Sequence, residues 1–171
     1  MSKETEIVDL VDASGQIQKR GVPRVEVEKY TDLHLQIVIA VIFDYAGRIL
    51  AQKRALTKST CPGDIDHVCG AVKSGETPEM ATARESLEET GLKVKNLKIV
   101  EQGVNSYNRY RYLLVGVANG EPNSYDPAEV EWVKFISPEE LKVKSQSGEF
   151  TFVGEFFEDM ELALNNGKLK I

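Results

Sequence analysis

Several residue types are scarce in this chain, and each scarcity removes a class of protein. Its 171 residues include two cysteines, Cys61 and Cys69, too few for a disulfide framework. Two histidines, His34 and His67, cannot build a histidine-rich metal centre. Positive charge is in deficit: 21 lysines and arginines against 27 aspartates and glutamates give a net charge of −6. A general binder of nucleic acid polymers needs a basic surface for its phosphate contacts, so that class is set aside. No apolar run reaches membrane-spanning length, and the opening MSKETEIVDL lacks the apolar centre of a secretion signal. There are no internal repeats and no low-complexity tract. The expectation is one reduced, cytoplasmic domain over residues 1–171, with no nucleic acid polymer and no membrane as partner.

What is present in excess is acid, and it is concentrated between Gly70 and Leu92, GAVKSGETPEMATARESLEETGL. Thr77 suits an N-cap, Pro78 the first helical position and Gly91 the residue just past the end, which predicts a helix over about 78–90. At about 100° per residue, Glu85, Glu88 and Glu89 share one face. Met80, Ala83 and Leu87 share the opposite face, which is expected to be the packed one. Like charges at these spacings disfavour a helix by about 0.2–0.5 kcal/mol per pair, so a hard divalent cation is the natural partner for the acidic face. A solvated acidic surface is the plainer alternative. Glu76 approaches from the preceding loop, where Gly70 and Gly75 are expected to let the backbone bend. Arg84 offers a planar fork of donors to the surrounding carboxylates.

The spacing of this stretch resembles the Nudix box, G-x(5)-E-x(7)-R-E-U-x-E-E-x-G-U, where U is a bulky aliphatic residue. Gly70, Glu76, Arg84, Glu85, Glu88, Glu89, Gly91 and Leu92 all fit. Ser86 departs, standing where the family carries an aliphatic side chain, and is expected to weaken the packing of the helix.

Residues 5–30 alternate loosely between apolar and charged and predict a strand or hairpin at the edge of the domain. LHLQIVIAVIF, over 33–43, is rich in β-branched residues and reads as a buried strand; residues 48–54 return as a second. The segment KSTCPGDIDHVCG, 58–70, reads as a long loop in which Asp64, Asp66 and His67 either orient a ligand or serve as turn residues. Lys53 and Arg54, at the end of the second strand, are candidate phosphate contacts. His34, alone ahead of an apolar run, reads as a capping or core residue rather than a metal ligand. Further strands are expected over 94–100, 109–117 and 130–136, a short helix after Ser137, and a last helix over about 154–164 ended by Asn166-Gly167. In that helix Phe156, Phe157, Met160 and Leu164 form a stripe for the core or a dimer contact.

ILAQKR, CPGDID and HVCGAV ahead of the box, with EVEWV and PEEL after it, resemble the isopentenyl diphosphate isomerase-like branch of Nudix proteins over roughly 5–165. This resemblance implies an α/β fold, an α/β/α sandwich with a mixed sheet and a loop-helix-loop box. It implies magnesium, with manganese as a substitute, held by Glu85, Glu88 and Glu89 with help from Glu76 and the Cys69 backbone carbonyl. Arg84 would orient the helix, and Glu129 or Glu131 would complete the metal or base site. The implied chemistry is hydrolysis of a diphosphate linkage in a nucleoside diphosphate derivative or related small diphosphate, with Glu85 as first choice for general base. Isomerisation, which in that branch uses a cysteine at the place of Cys69, is the runner-up. It is disfavoured because Ala71 stands where the isomerases carry a metal-binding histidine. A non-catalytic sensor is the third reading. The loops 58–66 and 103–109, with Tyr107 and Tyr110 as stacking candidates, would choose the rest of the substrate. A homodimer is a further expectation.

Overall fold

A computed structural model describes residues 6–166. Gly167, expected to close the last helix, lies outside them, as do the first five residues of the opening segment.

The β-branched run becomes β3, His34–Phe43, and every other element is placed by it. Along one edge β3 pairs in parallel with β8, Tyr110–Val117, from Gln36 to Phe43. Along the other it meets β1, Ile7–Val11, then β6, Val68–Ala71, then β4, Ile49–Arg54, all antiparallel. β2, Ile17–Pro23, flanks β1 as an outer strand of an edge hairpin, as expected. β7, Lys95–Val104, lies outside β8, and β9, Val130–Ile136, outside β4. β5, Ile65–Asp66, also pairs with β4. The result is a mixed α/β fold with helices on both faces of a large mixed sheet.

Alternate residues of a strand point to opposite faces, which divides the core in two. Ile39, Val41 and Phe43 pack with Phe156, Met160 and Ala163 of the last helix, α3, Phe156–Asn166. Its aromatic stripe is therefore core, although Leu164 stays 43% exposed. On the other face Val38 packs with Ala81 and Leu114, and Ala40 and Ile42 with Leu50, Val68 and Leu92. A short helix, α2, Pro138–Gln146, follows Ser137, whose hydroxyl accepts from Glu140 N. No helix among the described residues is long and apolar enough to cross a membrane.

Several expectations fail. The segment 58–70 is not loop throughout, since β5 and β6 occupy its second half and β6 forms part of the central sheet. Asp66, His67 and Gly70 interrupt the apolar pattern that marks a strand, and tertiary pairing supplies what local propensity lacks. The larger correction concerns α1, Pro78–Thr90, whose ends are where predicted: Thr77 Oγ1 accepts from Met80 N at 3.3 Å, and Gly91, at φ 72°, donates to Leu87 O at 3.1 Å. Its faces are reversed. Met80 and Leu87 are 55% and 49% exposed and Ala83 is exposed, whereas Ala81, Thr82, Glu85, Ser86 and Thr90 are buried.

α1 lies so close to the sheet that a Cβ on Gly70 of β6 would sit 2.0 Å from Glu85 Cδ. Only small side chains fit beneath the rest of the helix. Ser86 is one of them: it is fully buried, and its hydroxyl donates to Leu92 O at 3.0 Å, satisfying a carbonyl just beyond the helix end. It tightens the helix rather than loosening it. Replacing Ser86 by leucine, the bulky aliphatic type usual at that position, is expected to destabilise the protein by about 1–3 kcal/mol through overpacking. Leu87→Ala should stay within about 0.5 kcal/mol. Urea unfolding of the two variants checks both.

Candidate active site

The acidic residues of α1 do not share one environment. Glu88 is at the rim, its side chain 55% exposed, while Glu85 is buried and Glu89 is half-buried with its carboxylate turned inward. Glu89 Oε2 accepts from the Cys69 amide at 3.3 Å and from Gln52 Nε2 at 3.1 Å. Gln52, on β4, also donates from that nitrogen to His67 O at 2.9 Å, which leaves its buried Oε1 without a partner beside Glu89. Gly70 is needed for space rather than for bending, since it leaves room for the Glu85 carboxylate against β6. Gly75, at φ 84°, is the residue that turns the loop.

Arg84 holds this arrangement. Nε and Nη2 grip both oxygens of Glu76 at 2.8 Å each, Nη1 donates to Glu85 Oε1 at 2.5 Å, and Nη2 also reaches Ala71 O at 2.9 Å. Such a two-pronged carboxylate grip is specific to the planar guanidinium. Its hydrogen bonds to Glu76 hold Arg84 firmly charged, and the same bonds lower the Glu76 pKa. Glu76 further accepts from Lys73 N at 3.0 Å, so most of its acceptor capacity is spent within the protein.

The loop bearing Glu76 is clamped from the N-terminal hairpin. Ser74 N donates to Ile7 O at 2.8 Å, and Ser74 Oγ to the buried Asp9 at 2.7 Å. The Arg20 side chain and the Gly21 amide bind the same carboxylate.

The remaining sequence candidates fall in other places. Lys53 ends in an ion pair with Glu131 at 3.1 Å, and Lys58 pairs with Glu129. Glu129 and Glu131 are about half exposed and both engaged with lysines. Arg54 is tied to Asp66 at 2.9 Å and to Thr60. Asp64 accepts from the Thr151 hydroxyl at 2.5 Å. His34 Nδ1 lies 3.4 Å from Asn108 O at the mouth of β3. Tyr110 is buried, its ring against the Gly15 turn, whereas Tyr107 is exposed and borders a cavity described below. Gln52 and Arg111 went unnoticed in the sequence, because nothing local distinguishes a strand glutamine or arginine that meets carboxylates from distant segments.

Burial raises the pKa of Glu85 and lifts Glu89 to about 8, with Glu85 the next largest contributor to the latter. Burial, followed by the charges of Asp66, Glu89 and Glu85, raises that of the Cys69 thiol, so it stays protonated near neutrality. Among the described residues no three His, Cys, Asp or Glu groups are arranged to hold a metal ion. The donor chemistry nevertheless fits a hard cation: two inward carboxylates that repel one another, a third at the rim and an unpartnered amide oxygen are all oxygen ligands, and the one guanidinium among them is shared between Glu76, Glu85 and Glu88 while Glu89 meets neutral donors.

A mixed sheet carrying an acidic loop-helix-loop whose arginine organises its carboxylates defines a Nudix-type enzyme. The NUDIX domain model matches residues 33–155, most of the chain, and the protein belongs to that family. The isopentenyl-diphosphate Delta-isomerase of Streptomyces coelicolor is 35% identical over 122 residues, 64% of this chain and 60% of that protein; this chain thus spans about three fifths of its length. An uncharacterised Nudix hydrolase of Listeria innocua is 28% identical over 88% of this chain and 92% of its own. A crystal structure from Deinococcus radiodurans shares the fold with a TM-score of 0.68 at 21% identity, covering 88% of this chain and 94% of that one.

Two outcomes are expected. In the unfolded chain Glu89 loses its proton near 4.5, whereas in the fold it keeps it to about 8. Between those values the unfolded state is the more deprotonated, so raising the pH through this window favours unfolding. Asp159, lifted to about 7 by burial, acts with the same sign. Thermal melting in chelator should therefore fall from about pH 5 to 8, less steeply in Glu89→Gln. Gly70→Ala should displace Glu85 and lower turnover about a hundredfold, measured under saturating metal.

Proposed function

We propose that this protein is a magnesium-dependent hydrolase of a small diphosphate compound, either a nucleoside diphosphate derivative or a related ester, acting in the cytoplasm. The observation that carries the reading is the pair of inward carboxylates, Glu85 and Glu89, held against β6 with Arg84 as the organising cation. Magnesium, or manganese in its place, would be held by Glu85, Glu88 and Glu89 and would offset diphosphate charge and lower the pKa of water. Glu76 serves as a positioning residue, since its carboxylate is taken up by Arg84 and Lys73 N. Glu85 is the general base: Arg84 fixes Oε1 and leaves Oε2 to accept a proton. Arg84 also keeps Glu85 more acidic than burial alone would. Lys53 and Arg54 reach a diphosphate only by exchanging their partners Glu131 and Asp66.

A second reading, isomerisation of an isopentenyl-type diphosphate, is favoured by one observation besides the named relative. The Cys69 side chain, kept protonated, borders a cavity on the α3 side of the sheet, where a thiol can pass a proton, while its amide donates to Glu89. Ala71, in place of an imidazole, weighs against it. A non-catalytic sensor would not need the whole Arg84 network.

The deciding experiment incubates the protein with nucleoside diphosphate derivatives, dinucleoside polyphosphates and isoprenoid diphosphates, with magnesium or chelator. Magnesium-dependent phosphate or phosphomonoester release is expected, with Glu85→Gln slower by about 10²–10⁴-fold and still folded. Conversion of isopentenyl diphosphate without phosphate release, abolished in Cys69→Ala, would install the isomerase. Binding without any product would install the sensor.

A further inference from the structure

Behind β6, on the side of the sheet that carries α3, lies a cavity of about 120 Å³. Its apolar wall includes Ile37, Ile39 and Phe156. Cys69 links it to the acidic site, because its side chain borders the cavity while its amide donates to Glu89. His67 forms part of the same wall. It is 1% exposed, and its ring stacks on Phe156 with centroids 4.0 Å apart and planes 8° from parallel. Nε2 lies 3.1 Å from Phe156 O. A carbonyl can only accept, so the ring proton is on Nε2 and Nδ1 carries the lone pair. That Nδ1 is buried and has no partner.

The acidic groups in the wall, unlike Nδ1, already have partners: Asp66 accepts from Arg54 and His67 N, Glu155 from Ser106 and Arg111, and Asp159 from Arg111. Asp66, Glu155 and Asp159 are carboxylates, and no lysine or arginine borders the cavity. Arg111 is consumed by Glu101, Glu155 and Asp159 from outside. The Asn105 amide, the Tyr107 hydroxyl and the Cys69 thiol also line the cavity, but the buried polar atom in its wall that lacks a partner among the described residues is the acceptor His67 Nδ1. Since a cavity of about 150 Å³ holds benzene, this one takes a compact group of about four or five heavy atoms.

We infer that His67 is a specificity-determining residue: the cavity receives the tip of the group attached to the diphosphate, and Nδ1 selects a tip bearing an N–H or O–H donor. The inference rests on the reading of the Glu85–Glu89 side as the diphosphate end. It makes the preferred substrate a diphosphate ester of a short, polar-tipped chain.

The test is equilibrium binding, with magnesium, of 3-aminopropyl, 3-hydroxypropyl and butyl diphosphate, which differ only in a terminal nitrogen, oxygen or carbon. The donor-tipped esters should bind about tenfold or more tightly than butyl diphosphate, as one buried hydrogen bond implies. A larger gain for the amine would mark the help of the carboxylates, an equal gain a neutral donor site; either supports the assignment. His67→Gln, which keeps a donor for Phe156 O but no acceptor at the Nδ1 position, should bring the ratio within about twofold. His67→Asn, with its amide oxygen near that position, should preserve it. Circular dichroism confirms that both variants fold. Equal binding of all three esters by the unaltered protein, no binding of any, or a ratio unchanged in His67→Gln would overturn the inference. A preserved ratio without turnover would instead overturn the hydrolase reading and leave the cavity assignment standing.

Discussion

Keeping Glu85 and Glu89 close together and out of water is the constraint on which the rest of this structure depends. Two buried carboxylates repel one another and resist ionisation, and the fold meets that cost with a small number of donors. Arg84 takes one oxygen of Glu85, while Gln52 and the Cys69 amide share one oxygen of Glu89. Glu89 thus meets neutral donors and no cation among its hydrogen-bond partners, which is the electrostatic condition for binding a divalent cation. Glu76 matters because it fixes Arg84 in one orientation with a two-oxygen grip.

That arrangement explains choices elsewhere in the chain that look unfavourable by local rules. A helix with exposed Met80 and Leu87 and a buried Glu85 reverses the usual amphipathic pattern, yet it allows α1 to lie near enough to β6 for Glu89 to meet the Cys69 amide. Small residues at 81, 82, 86 and 90 make the approach possible, and Gly70 completes it from the strand side. Ser86 repays its polarity by bonding Leu92 O, so an apparent departure from the motif proves to be a satisfied core residue. The N-terminal hairpin adds a clamp through Asp9 and Ser74 that holds the loop carrying Glu76. A segment that read as edge decoration thus bears on the site.

The opposite face of the sheet has a different character. Aromatic packing by Phe152, Phe156 and Phe157 gives α3 its anchor, and His67 joins this cluster by stacking instead of facing the acidic residues. Because β6 is one residue layer thick, its backbone serves the carboxylates while the Cys69 side chain serves the cavity. Two environments of different polarity are thereby brought into register along a strand of four residues.

Much was determined by the sequence alone, and the reason is locality. The ends of α1 follow from Thr77, Pro78 and Gly91, the central strand from its β-branched run, and the Arg84–Glu85–Glu88–Glu89 set from its spacing, since caps, periodicity and motif steps involve residues a few positions apart. Tertiary structure decided which face of α1 is buried, that 65–66 and 68–71 are strands, that Lys53, Arg54, Glu129 and Glu131 end in ion pairs, and that Tyr110 is buried while Tyr107 borders a cavity. It also decided that His67 turns to α3 and that Arg111 meets three carboxylates. Those outcomes depend on contacts between segments tens of residues apart, where burial and charge partners are set by the packing of the whole sheet and leave no periodic trace in the chain.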